Sequence, residues 1–212
     1  MSGMSIPYEA GGRVRQKSRT RGALVVAARE MVARGLAPTV AEAADAASVS
    51  RTTAYRYFPN QRTLLAAAHP ETGTTSMLGE DPSDDPADRL DRVVETFTRL
   101  ILETEAQQRT MLRLSLEDHP VDRGDQPLRQ GRAIGWITEA LEPVRGQLSN
   151  AELHQLVLAI RSATGIEALV WLTDIGGMSG EAAVELMRWS AQSMLQAALS
   201  TGLPGSKSVH KV

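Results

Sequence analysis

Apolar positions recur at spacings of three and four in one segment after another, the period of helices that bury one face. Leu24, Ala27, Ala28, Met31 and Val32 predict a helix that starts at Ser18 or Thr20 and stops at Gly35. A second should start at Thr39, with Glu42 at capping-box spacing, and pause at Ser48-Val49-Ser50. Ser50 caps a third, RTTAYRYF, which Pro59 ends, and Asn60 caps a fourth, QRTLLAAAH. Leu24, Ala28, Ala44, Val49, Ala54, Phe58 and Leu64 are the expected core of this four-helix cluster.

A second series follows a loop at 70–86. Leu90, Val93, Val94, Phe97, Leu100 and Ile101 form a stripe, with Arg92, Glu95, Arg99 and Glu103 on the other side. Further helices are expected from Glu105 to Glu117, from Pro127 to Glu142, from Asn150 to Asp174 behind Ser149, and from Ser179 to Ser200. The pattern predicts an all-α chain: a helix-turn-helix domain of three or four helices, then a larger helical domain. The boundaries are a flexible basic arm at 1–17, the small domain at 18–68, a linker at 69–87, the large domain at 88–201 and a flexible tail at 202–212.

The last helix is apolar over a wide arc. Ala183, Met187, Met194 and Ala197 lie along one line, and Val184, Ala191, Leu195 and Ala198 along another. Burial on two sides is the consequence, either in a central core helix or in a homodimer where two long helices from each chain pack around a two-fold axis. The second arrangement is the one expected here.

Net charge is only −2, but it is unevenly spread. Residues 1–62 hold ten basic and four acidic residues, a balance of +6 that leaves −8 for the rest. Such asymmetry points to a polyanion at one end of the molecule. The arm contributes Arg13, Arg15 and Lys17, which would add salt-dependent affinity for it. There is no cysteine, which excludes disulfides and thiolate metal sites and fits a reducing cytoplasm. No signal-peptide core and no run of about 18 consecutive apolar residues is apparent, so no membrane partner is expected. Carboxylates in the loop lack the central glycine and closing glutamate of a calcium site, and acids ahead of a helix N-terminus explain them better.

The most concentrated chemistry lies in RTTAYRYF, which holds three of the chain's eight aromatics. Two helices joined by a tight turn, from Ala43 to Phe58, make the unit that lays its second helix in a DNA major groove. Thr52 and Thr53 are short enough for that helix to approach base edges, and Arg51 is long enough to reach a guanine edge or a phosphate. Tyr55 and Tyr57 can donate to phosphate oxygens, with Arg56 beside them, while Phe58 anchors the helix in the core.

The run TVAEAADAASVSRTTAYRYFPNQRTLL resembles the DNA-binding signature of the TetR family of bacterial transcriptional regulators. The resemblance covers about Ser18 to Ala67. It implies phosphate contacts from Thr39 and Tyr55, base contacts from Arg51, Thr52, Thr53 and Tyr57, and a double-stranded DNA operator as partner. It also implies that the larger domain binds a small-molecule effector and forms a homodimer, so that the chain acts as a repressor released by its ligand. Two positions depart from the family pattern. Ser48 stands where a glycine is usual, and a left-handed backbone there would cost about 1 kcal/mol. Gln61 stands where a phosphate-binding lysine is usual, which leaves that contact to Gln61, to Arg62 or to the helix N-terminus.

In the larger domain Phe97, Met111, Trp136 and Trp171 are large apolar candidates for an effector pocket, with Leu114 and Ile137 near them, and Arg161, Thr164 and Glu167 are its polar ones. His154 and His119 are weaker candidates. The competing classes are an enzyme, a helical small-molecule binder without DNA binding, and a helical adaptor. No catalytic motif or cofactor fingerprint supports the first. A metal cluster of His119, Asp118 and Asp122 would sit in an irregular loop.

Overall fold

The structure, a computed structural model, describes residues 8–69, 74–116 and 131–204, with side chains from Arg15 onward. Every regular element among the described residues is helical. The chain divides into two compact units, Met1–Thr72 with Arg113–Gln130, and Gly73–Leu112 with Gly131–Val212.

The first unit holds α1 (Tyr8–Ala33), α2 (Val40–Ala46), α3 (Arg51–Tyr57) and α4 (Gln61–Ala68). Helix α1 begins well before Ser18, so the stretch from Gly11 to Lys17, expected as a disordered arm, is helical. Arg15, Gln16, Lys17 and Arg19 are good helix formers, and extending an existing helix avoids a new nucleation cost. Leu24, Ala28, Val40, Ala43, Ala44, Ala54, Phe58, Leu64 and Ala68 make the core, with Val49 half-buried at its edge. Arg29 of α1 has a role that no local pattern signals: its guanidinium donates from Nε to the Ala68 carbonyl at 3.2 Å and from Nη2 to that of His69 at 3.5 Å. A cation thereby satisfies carbonyls that α4 leaves open at its C-terminus.

Three caps fix the small helices. The Thr39 hydroxyl accepts from the Glu42 backbone N–H at 3.2 Å while the Glu42 carboxylate accepts from the Thr39 N–H at 2.7 Å, a complete capping box. Ser50 and Asn60 accept from the N–H groups of Thr53 and Thr63. At the end of α2 the Val49 N–H reaches the Ala44 carbonyl at 2.9 Å and the Ser48 N–H that of Asp45 at 3.2 Å. This is a Schellman closure, and it puts Ser48 in the left-handed position at φ +54°, the one positive φ outside glycine among the described residues.

The second unit holds α5 (Pro86–Glu103), α6 (Glu105–Leu116) as far as Leu112, α7 (Arg132–Ala140), α8 (Asn150–Thr164), α9 (Ile166–Val170) and α10 (Gly180–Thr201). Asp85 caps α5 ahead of Pro86, accepting from the Ala87 N–H at 2.9 Å. The expected stripe on α5 is buried except for Leu100, which is partly so. Phe97 meets Trp136 of α7 edge to face, with ring centroids 5.7 Å apart. The loop ahead of α5 is not wholly polar in role: Met77 and Leu78 sit in the core. Pro127 and the rest of the expected start of the next helix lie outside the described residues. The described part ends at Ala140, where the Arg89 guanidinium takes the carbonyls of Ala140 and Glu139.

The expected long helix from Asn150 to Asp174 is not continuous. Helix α8 ends at Thr164, Gly165 breaks the chain direction, and α9 passes into a π-helical segment, Trp171–Ile175. Gly165 leaves the helical path at φ −91° and ψ 179°, between the Arg161 guanidinium and the Glu167 carboxylate. By length and composition Asn150–Ile175 could cross a membrane, since an 18-residue window within it has a mean hydropathy of 1.5, a feature that a search for unbroken apolar runs does not reveal. Its Leu153, Leu156, Val157 and Ile160 belong to the core. On α10 the two expected lines resolve differently: Ala183, Val184, Met187, Ala191, Leu195 and Ala198 form one buried face, Met194 is partly buried, and Ala197 is exposed.

Candidate nucleic-acid interface

Helix α3 is held from behind and open in front. Ala54 and Phe58 are buried, and Arg21 of α1 lies over the Phe58 ring, 5.3 Å from its centroid. Arg51, Thr52, Tyr55 and Arg56 are exposed, Tyr55 by 47 %. Thr53 and Tyr57 are half-buried, and Tyr57 packs against the core edge while its ring lines a surface groove. That groove, about 380 Å³, is bounded by Gln16, Lys17 and Thr20 of α1 and by Thr53, Arg56 and Tyr57 of α3. It exists because α1 continues toward its N-terminus as a helix, so a reading that took the arm as coil could not find it. Arg15 and Lys17 are exposed on the same helix, and the side chain of Arg13 lies outside the described residues.

Several expected contact residues have partners within the protein. Ser50 and Thr39 are caps. The Thr39 hydroxyl also donates to Glu42 at 2.8 Å, and hydrogen bonds from the Thr39 backbone and hydroxyl hold the Glu42 carboxyl below its usual range. Arg51 is paired with Asp45 of α2, its Nη2 at 2.7 Å from Oδ2 and its Nε at 3.3 Å from Oδ1. Hydrogen bonds from Arg51 hold the Asp45 carboxyl below its ordinary value. Gln61 does not point outward: its Nε2 donates to the carbonyls of Ala37 and Pro38 at 2.8 and 3.2 Å, pinning α4 to the connection between α1 and α2. The amide expected to reach phosphate is used as an internal tie. Arg62 is half-buried at the start of α4.

The expected effector residues divide into two sets. Phe97, Trp136, Arg161 and Glu167 come together, with the Arg161 guanidinium 5.6 Å from the Phe97 centroid and 3.3 Å from Glu167. Thr164 is buried beside them, and its hydroxyl donates to the Ile160 carbonyl at 2.9 Å, inside its own helix. Met111 and Leu114 are buried on α6, and Ile137 is in the core. Trp171 is elsewhere. It is 61 % exposed, because the break at Gly165 removes the one-face relation that seven residues of unbroken helix would give it with Thr164. It lines a shallow apolar groove of about 210 Å³ with Ala163, Ala168, Leu172, Leu186, Met187 and Ser190. His154 is exposed, and His119, Asp118 and Asp122 lie outside the described residues.

Residues 23–68 match the family model for the bacterial regulatory proteins of the tetR family. No curated protein matches the chain.

Proposed function

We infer that this chain, which carries the DNA-binding domain of the TetR family of transcriptional regulators, is a dimeric repressor that leaves its operator when a small molecule enters the larger domain. The exposed surface of α3 is the observation that carries the reading. Arg51, Thr52, Tyr55 and Arg56 stand exposed on a helix whose opposite side is anchored by Ala54 and Phe58. Short and long donors on one exposed face are what reading base edges between two phosphate backbones requires. The groove with Lys17 and Arg56 at its rim adds cations for the adjoining backbone.

The dimer rests on the apolar face of the last helices. Trp171, Ile175 and Trp189 are 61 %, 73 % and 66 % exposed, and Leu158 and Leu199 add to the apolar surface of α8 and α10. Exposed apolar surface of this extent on a water-facing helix marks an interface. A two-fold copy covering it makes the surface self-complementary and predicts a palindromic operator with half-sites about 34 Å apart, or a multiple of that. The effector is assigned to the side of the larger domain where Phe97, Trp136, Arg161 and Glu167 meet. The protein works in the cytoplasm, without a catalytic step, a cofactor or a membrane partner. Selection of bound fragments from the native genome, followed by mobility-shift titration, tests the reading: a fragment of two-fold symmetry should emerge and be released by a compound that binds the larger domain. Absence of any preferred fragment would refute it.

A further inference from the structure

Asp45 is badly placed for a residue of a DNA-binding surface. It lies in the last turn of α2, where the helix dipole disfavours a negative charge, and it stands beside α3, where a carboxylate repels phosphates. Its pair with Arg51 leaves both side chains more than half exposed, at 57 % and 66 %, so the bond contributes little to stability. Three disadvantages in one residue call for a role in binding.

The geometry of the pair supplies it. A guanidinium has two edges, each with two parallel N–H donors, one formed by Nε and Nη2 and one by Nη1 and Nη2. The Asp45 carboxylate takes the first, with Nη2 at 2.7 Å from Oδ2 and Nε at 3.3 Å from Oδ1. This fixes the plane of the guanidinium and turns the second edge away from α2. Guanine presents O6 and N7 side by side in the major groove, and a preset pair of donors matches them as no other base does.

We propose that Asp45 is a positioning residue that holds Arg51 edge-on to a guanine in each half-site, giving up general affinity for DNA in return for base discrimination. The inference rests on the reading that α3 enters the major groove, and it deepens that reading by naming the base. The carboxylate also makes a phosphate contact by Arg51 less favourable, since Arg51 would have to leave Asp45 to reach the backbone.

The test uses the full chain and a pool of random-sequence duplex DNA, selected by the wild type, by Asp45→Asn and by Arg51→Lys. The wild type should enrich a symmetric motif with a guanine in each half that Arg51→Lys loses. Asp45→Asn should enrich the same motif with the preference for that guanine lowered about tenfold, the scale of one well-formed bidentate pair. Its affinity for mixed-sequence duplex should rise, and the slope of log K against log salt should steepen by about 0.9 as Arg51 gains a phosphate. Far-ultraviolet circular dichroism should be the same for all three proteins. Undiminished guanine preference in Asp45→Asn, or a motif that Arg51→Lys does not alter, overturns the proposal while leaving α3 as the reading helix. Failure of the wild type to enrich any motif overturns the underlying reading as well.

Discussion

Ser48 gives a quantitative test of the turn that aims α3. Its φ of +54° is left-handed, and its side chain is exposed, so a change of residue there acts through the backbone alone. Holding an L-residue in that region costs about 1–2 kcal/mol. Glycine removes the cost but adds about 0.5–1 kcal/mol of unfolded-chain entropy. Ser48→Gly should therefore stabilise the small domain by about 0.5–1 kcal/mol, while Ser48→Val, with a branched Cβ in a left-handed position, should destabilise it by about 1–2 kcal/mol. The chain separates its own signals, because Tyr8, Tyr55 and Tyr57 lie in the first domain and Trp136, Trp171 and Trp189 in the second. In urea the tyrosine transition should move up by a few tenths molar for Ser48→Gly and down for Ser48→Val. The tryptophan transition should stay in place. A glycine variant less stable than the wild type, or a valine variant equal to it, would refute the assignment of strain to this turn.

Other expectations follow from single contacts. Gln61→Ala removes two hydrogen bonds to the carbonyls of Ala37 and Pro38 and should cost about 1–3 kcal/mol in the tyrosine transition. The same variant should leave the salt slope of DNA binding unchanged, since its amide faces inward. Asp174, held by hydrogen bonds from Arg109 and Thr173, has its pKa lowered from 3.8 to about 2. The unfolded chain thus takes up this proton first, so the stabilisation is full above about pH 4 and is lost as pH falls through about 2. Asp174→Asn should flatten that part of the acid-unfolding profile of the tryptophan signal. Trp189→Glu replaces an exposed aromatic of α10 with a charge and should turn a dimer into a monomer in sedimentation at micromolar concentration, with helicity unchanged. A dimer that persists would remove α10 from the interface.

Much of the smaller domain was legible in the sequence because its signals are local. Thr39, Ser50 and Asn60 act within three residues, and the turn after α2 needs a left-handed residue whether or not glycine occupies it. What was illegible there is long-range: Arg29 closing α4, Gln61 reaching back to Pro38, and α1 continuing through residues with helix propensity but no apolar face. In the larger domain the stripe on α5 was plain, but the break at Gly165 was hidden by an apolar pattern that runs on past it. That break moved Trp171 from the expected pocket to the exposed face and left Phe97, Trp136, Arg161 and Glu167 as the group that meets. The pairing of Asp45 with Arg51, six residues apart, depends on the angle of the turn and could not be read from spacing.

The central claim is that the exposed face of α3 binds DNA specifically. Its most direct test is a mobility-shift titration of a genome-selected fragment with the wild type, Arg51→Ala and Tyr57→Ala, each first shown to be a dimer. Both variants should lose specific affinity and retain the dimer, and operator binding unchanged in both would contradict the claim.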